Sequence, residues 1–221
     1  MVGYQTKTLD VDAGEYLHSV GVNFINMESQ TGAYTVSDKL FDTTVEVDDQ
    51  ILVFDADEYN LTAYQKTSSG NWFVSAADGS TFNVASFVLE PGDHVLYMPV
   101  DPSKDLTVSG EVAASGTQTV TFTVTDADYL FDIANPYPVD TTIADLDSFC
   151  ETDDQVLLFD ADEYNLTAYQ KTSAGGWFVS AANGDTYVVS DVTAVVIPAG
   201  SGGWFMPGDS RTWTVTCNYA D

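Results

Sequence analysis

Residues 49–69, DQILVFDADEYNLTAYQKTSS, return at 154–174 as DQVLLFDADEYNLTAYQKTSA, identical at 18 of 21 positions with an offset of 105. A repeat of this length makes half the chain the unit of folding, so it precedes any local pattern. The likeness spreads outward. Trp72-Phe73-Val74-Ser75 matches Trp177-Phe178-Val179-Ser180, and Met98-Pro99 matches Met206-Pro207. Upstream, Tyr16-Leu17 matches Tyr129-Leu130 and Asn23-Phe24 matches Asn135-Pro136. The chain divides into two homologous units, 1–112 and 113–221, meeting in the small-residue stretch SGEVAASG at 109–116.

Each unit reads as strands. Residues 119–125, TVTFTVT, alternate strictly, with Val120, Phe122 and Val124 on one face and threonines on the other; 211–217 do the same with Trp213, Val215 and Cys217. The repeated segment is a meander: strands at 50–54, 61–66 and 72–76, separated by an acidic turn and a glycine turn. Asp78-Gly79 and Asn183-Gly184 supply hairpin turns that tolerate positive φ. Helical periodicity is confined to about one turn each at 36–41 and 143–149. Short strands with closely spaced turn signals predict an all-β chain, two tandem β-sandwich or partly closed β-barrel domains.

With 44% hydrophobic and 13% aromatic residues, the chain is an ordered protein rather than a disordered acidic one. It carries 34 acids against 6 bases, a formal net charge of −28. Residues 1–112 hold 18 acids and 4 bases and residues 113–221 hold 16 and 2, so each half is at −14 and no acidic tail accounts for the total. Such a surface repels nucleic acid and anionic membranes. Cations, neutral glycans and basic proteins are the partners left. No run of apolar residues is long enough to span a bilayer as a helix, so no membrane insertion is expected. The opening Met1-Val2-Gly3-Tyr4-Gln5 has neither the basic nor the apolar region of a signal peptide, so the chain is either cytosolic or the mature form of an extracellular protein, and its richness in Asp, Thr, Ser and Tyr with few Lys favours the second.

Several constellations are candidates for chemistry. The turns carrying Asp55, Asp57, Glu58 and Asn60, and Asp160, Asp162, Glu163 and Asn165, cluster oxygen ligands suited to calcium but lack the glycine and distal glutamate of an EF-hand. We take Asp55, Asp57, Asn60, Asp160, Asp162 and Asn165 as the candidate ligands, against the plainer reading of a solvated acidic turn. As a catalytic carboxylate pair these turns are poor, since nothing separates the two acidities. Asn60-Leu61-Thr62 and Asn165-Leu166-Thr167 are glycosylation sequons, making Asn60 and Asn165 candidate attachment sites. Cys150 and Cys217 are a candidate disulfide whose closed loop of about 66 residues would contribute roughly 4 kcal/mol; free buried thiols are the equal alternative. His18 and His94, the only histidines, have no counterparts in the second copy, and no nucleophile elbow or phosphate loop is present, so no catalytic residue and no other cofactor is assigned. The Trp-Phe pairs at 72–73, 177–178 and 204–205, with Tyr59, Tyr64, Tyr164 and Tyr169, are either a sugar-stacking platform or core residues with one ring of each pair inside.

The opening strand Val2-Gly3-Tyr4-Gln5-Thr6, the hairpins Gly70-Asn71-Trp72 and Gly176-Trp177, and the closing Pro91-Gly92 and Gly202-Gly203-Trp204-Phe205 resemble a loosely defined class of uncharacterised secreted bacterial surface domains, often repeated in tandem. The resemblance implies a secreted or cell-surface structural setting and brings no active site. The leading expectation is a non-catalytic extracellular subunit that assembles head to tail with copies of itself into a filament or surface layer. The alternatives are a glycan- or surface-ligand-binding module, calcium-dependent through the acidic turns, and a virion fibre or capsid-decoration protein.

Overall fold

The computed structural model describes residues 2–10, 17–21, 24–25, 34–35, 45–55, 60–75, 81–84, 88–89, 93–101, 103–112, 116–122, 124, 129–134, 140–160, 165–180, 186–189 and 191–217. The first repeat runs β1 (Val2–Asp10), β2 (His18–Gly21), β3 (Phe24–Ile25), β4 (Tyr34–Thr35), β5 (Gln50–Asp55), β6 (Asn60–Lys66), β7 (Trp72–Ser75), β8 (Thr81–Val84), β9 (Val88–Leu89), β10 (His94–Met98) and β11 (Ser103–Val112). The second runs β12 (Gly116–Phe122), β13 (Phe131–Ala134), β14 (Thr141–Thr142), α1 (Ile143–Leu146), β15 (Gln155–Asp160), β16 (Asn165–Lys171), β17 (Trp177–Ser180) and β18 (Thr186–Val188). After a 3-10 turn at Val192–Ala194 come β19 (Val196–Ile197), β20 (Gly202–Met206) and β21 (Arg211–Cys217).

The fold is all-β, and the expected meander is present in both copies. Each repeat builds one six-stranded antiparallel sheet in the same order, β2-β10-β5-β6-β7-β8 and β13-β20-β15-β16-β17-β18. The one-turn helix expected at 143–149 is α1, whose first turn is fixed by Asp145 accepting from the Thr142 N–H and hydroxyl. Its counterpart at 36–41, and the Asp-Gly and Asn-Gly turns, lie outside the described residues.

Alternation sorts every sheet residue to one of two faces. On the second sheet, Val156, Trp177 and Phe205 point outward and pack with Ile143 and Cys150 under α1 and the 3-10 turn. The other face, with Leu157 and Trp204, meets Leu17 and Leu96 of the first repeat and Leu130 of the second in one buried cluster, flanked by Leu52, Phe54 and Leu61 and by their counterparts on the second sheet. The boundary near residue 112 is thus crossed by a common core: two sheets, one from each repeat, packed face to face.

At the centre of this seam the backbones approach closely. The Gly21 N–H donates to the carbonyl of Gly200 at 2.9 Å, and Gly200 sits at φ +72°, a conformation glycine adopts without strain. A methyl group on Gly21 would meet the Ser201 carbonyl oxygen at 2.6 Å and the Ala134 Cβ at 2.9 Å. On the other side, a methyl group on Gly202 would meet the Ile133 carbonyl oxygen of its own repeat at 2.3 Å and the Cβ and Cδ2 of His94 at 3.0 Å. Strand alignment makes Ala134 the counterpart of Gly21, and Gly202 the counterpart of His94. The copies therefore meet across an approximate two-fold axis where each position faces its own equivalent, and one member of each pair is glycine.

Each repeat also forms a long ribbon. Strand β1 pairs with β11 over nine positions, Val2↔Glu111 to Asp10↔Ser103, and β12 pairs with β21 over seven, Gly116↔Cys217 to Phe122↔Arg211. The expected alternation holds in that register: Val120 lies opposite Trp213, and Thr119 opposite Thr214.

We expect Gly21→Ala to destabilise the protein by about 1–3 kcal/mol through overpacking against backbone. Gly176→Ala, where the nearest atom to an added methyl is 3.7 Å away, serves as control and stays near wild type in urea unfolding.

Candidate functional site

Two sites emerge, one duplicated and one unique. The duplicated site lies at the base of the β5–β6 and β15–β16 hairpins. Asp49 and Asp154 are fully buried. The Asp49 carboxylate accepts from the Glu46 N–H at 2.6 Å, the Val100 N–H at 2.8 Å and the Tyr97 hydroxyl at 2.5 Å. Asp154 accepts from the Glu151 N–H at 2.7 Å and the Gly208 N–H at 2.9 Å, but its third donor is Arg211, whose guanidinium reaches it at 2.6 Å. Phe205 stands where the first copy has Tyr97, so the second copy replaces a lost hydroxyl with a cation from the adjoining ribbon. Burial and the neighbouring Asp49 carboxylate raise the Tyr97 hydroxyl far above its ordinary acidity range, which keeps it a donor.

The rest of the repeated motif serves the same turn. Asp48 and Asp153 take φ of +74° and +73°, and their carboxylates accept from Gln65 at 3.1 Å and Gln170 at 3.2 Å. The backbones of Lys66 and Lys171 close the turn, and their ammonium groups donate to the carbonyls of Val45 at 3.0 Å and Asp147 at 3.1 Å. Lys171 also pairs with the Asp147 carboxylate, which accepts from the Trp177 indole at 2.8 Å; these two hydrogen bonds hold Asp147 below the usual carboxylate range. The identity of Asp49 with Asp154 and of Lys66 with Lys171 thus accompanies the same buried and part-buried bonds, and that of Asp48 and Gln65 with Asp153 and Gln170 the same exposed one. The inner faces of both hairpins, Phe54 and Leu61 with Phe159 and Leu166, line the shared core.

The unique site is polar and lies inside the seam. The Ser19 hydroxyl accepts from the Gly202 N–H at 3.0 Å and donates to the Gly202 carbonyl at 3.0 Å, and its oxygen lies 2.9 Å from His94 Nε2, the donor of that bond being set by the histidine tautomer. The His94 ring is fully buried and stands edge-on to Trp204, with centroids 4.6 Å apart. A serine bonded to a histidine is half of a nucleophile-base pair. Here, though, the hydroxyl is held by both backbone groups of Gly202, stitching one repeat to the other. Beside it, Asp132 pairs across strands with Trp204 and is pushed up to about 8, first by burial and then by the Asp93 carboxylate. The Trp204 indole pulls the other way, yet Asp132 Oδ1 and Trp204 Nε1 are both buried without a hydrogen bond of proper geometry. Strand pairing marks none of these residues in advance; the only hint is that His94 aligns with a glycine.

The candidate calcium ligands fall at the hairpin tips. Asp55↔Asn60 and Asp160↔Asn165 are the last paired positions of their hairpins, while Asp57, Asp162 and the side chains of all six candidates, including the sequon asparagines, lie outside the described residues. Cys150 is a free thiol in the core, pushed up to about 12 by burial and by Asp154, and therefore unreactive at neutral pH. The strand carries Cys217 six residues beyond Arg211, about 20 Å further along the ribbon. The aromatic pairs are mostly core: Trp72, Trp177, Trp204 and Phe205 are buried, and only Phe178 is clearly exposed. No protein-family model, no curated protein and no solved structure matches the chain.

Two outcomes follow from these contacts. Arg211→Leu strands a buried carboxylate and should cost about 3 kcal/mol. Adding Phe205→Tyr, which copies the Tyr97 solution, should recover part of that loss in urea titrations. Asp132 binds its proton more tightly folded than unfolded, so its contribution to stability is full below pH 4 and fades as pH rises to about 8. Asp132→Asn should raise the melting temperature at pH 9 and leave it unchanged at pH 4.

Proposed function

We propose that the chain is a non-catalytic structural subunit that assembles outside the cell with copies of itself. The observation that carries this reading is the pair of terminal ribbons. Among the described residues, β1 is an edge strand nine residues long and β12 and β21 pair only with each other. Long strand edges are templates for a further strand, and a globular protein ordinarily blunts them with short edges, bulges or prolines. The two ribbons are different surfaces, so joining the first of one molecule to the second of the next gives a heterologous contact, which can repeat without closing. The buried Asp49 and Asp154 carboxylates are engaged by backbone and side-chain donors of their own repeats, which favours a scaffold. The resemblance to tandem surface domains points the same way. Copies at −28 repel one another, so assembly should depend on ionic strength or divalent cations.

Light scattering and negative-stain micrographs of purified protein, at low salt, at high salt and with millimolar calcium, should show elongated particles in at least one condition. A monomer in all three conditions defeats the proposal.

A further inference from the structure

Among the described residues, every strand pairing stays within one repeat: β1 to β11 pair among themselves, and β12 to β21 among themselves. The halves meet instead at the seam, where Leu17 and Leu96 face Leu130, Leu157 and Trp204, and where Gly21 bonds to Gly200 and Ser19 to Gly202. Parting the halves therefore breaks no ladder. The second sheet keeps its other core, since Ile143, Cys150, Val156, Trp177 and Phe205 all belong to one repeat. The Asp49 carboxylate likewise keeps its donors, Glu46, Tyr97 and Val100. Each half is a bonded sheet with one apolar face to cover, and every other copy of the chain carries the surface that covers it.

Resting on the self-assembly reading, we infer that the seam is exchangeable between chains: the first repeat of one copy docks, through the face bearing Leu17 and Leu96, onto the face of a second copy bearing Leu157 and Trp204. The contacts are those already made within one chain, so the complementarity is in place. Charge does not forbid the exchange. The seam of a single chain already brings two units of −14 face to face, and salt screens the longer-range repulsion between copies. One-way exchange leaves a first-repeat face free at one end and a second-repeat face free at the other, so it extends head to tail. The competitor is closure onto the chain's own second repeat. Three residues, 113–115, join β11 to β12, and a short tether makes the attached repeat as effective as a partner at about millimolar concentration. Concentrated protein therefore favours exchange.

The test removes that competitor. Leu96→Asp spoils the face of the first repeat and Leu157→Asp that of the second, so neither variant closes its own seam. The sound second repeat of one still fits the sound first repeat of the other. Mixed at high salt, the two variants should form a two-chain particle in sedimentation velocity, about tenfold more abundant than in either variant alone. Circular dichroism checks that each keeps its strands, and Leu96→Gln with Leu157→Gln is the milder pair should an aspartate unfold its sheet. Wild type is run alongside. If wild type assembles but neither mixture forms the two-chain particle, the seam is not the joint between copies and the assembly reading stands. If wild type is monomeric throughout, both fall.

Discussion

The close approach of the two sheets at Gly21 and Gly202 governs the rest of the structure. Backbone meets backbone there, Gly21 to Gly200, and a serine hydroxyl from one repeat binds both backbone groups of a residue in the other. A side chain at either glycine would force backbone to shift. With the sheets that close, Leu96, Leu157 and Trp204 are sealed between them, and the hairpins carrying Phe54 and Phe159 complete the cluster. The seam makes two copies of a motif into one core.

That geometry also accounts for the uneven divergence of the repeats. Residues near an approximate two-fold axis face their own counterparts, and two identical side chains of any size cannot occupy the same space. His94 is therefore matched with Gly202, and Ala134 with Gly21. Away from the axis, the hairpin residues meet different neighbours and are free to stay alike, while the turn holding Asp49 or Asp154 demands the same bonds each time. The third donor to that carboxylate, Tyr97 in one copy and Arg211 in the other, shows the same demand met by different chemistry.

Much of the local structure was legible in the sequence. Alternation and turn residues give the meander of β5 to β7, the ribbon strand β12 and the single turn of α1, because those patterns depend on near neighbours. The repeat itself implied two equivalent tandem domains, each a sandwich or barrel of its own. Their packing onto each other was not legible, since no local rule says which face of a strand meets which distant strand. Asp49, Asp154 and Lys171 read as surface charges because their types are rarely buried, and only the tertiary structure reveals the partners that make burial tolerable. The candidate calcium ligands illustrate the opposite case: a cluster obvious in sequence whose side chains lie outside the described residues.

The shared core is tested most directly by separating the repeats. Fragments 1–112 and 113–221, unfolded in urea alone and then mixed, should each lose cooperativity or unfold at a lower midpoint than the whole chain, and mixing should restore part of the difference. If fragment 113–221 alone unfolds with the midpoint of the intact protein and ignores its partner, the seam does not stabilise the fold and the account is contradicted.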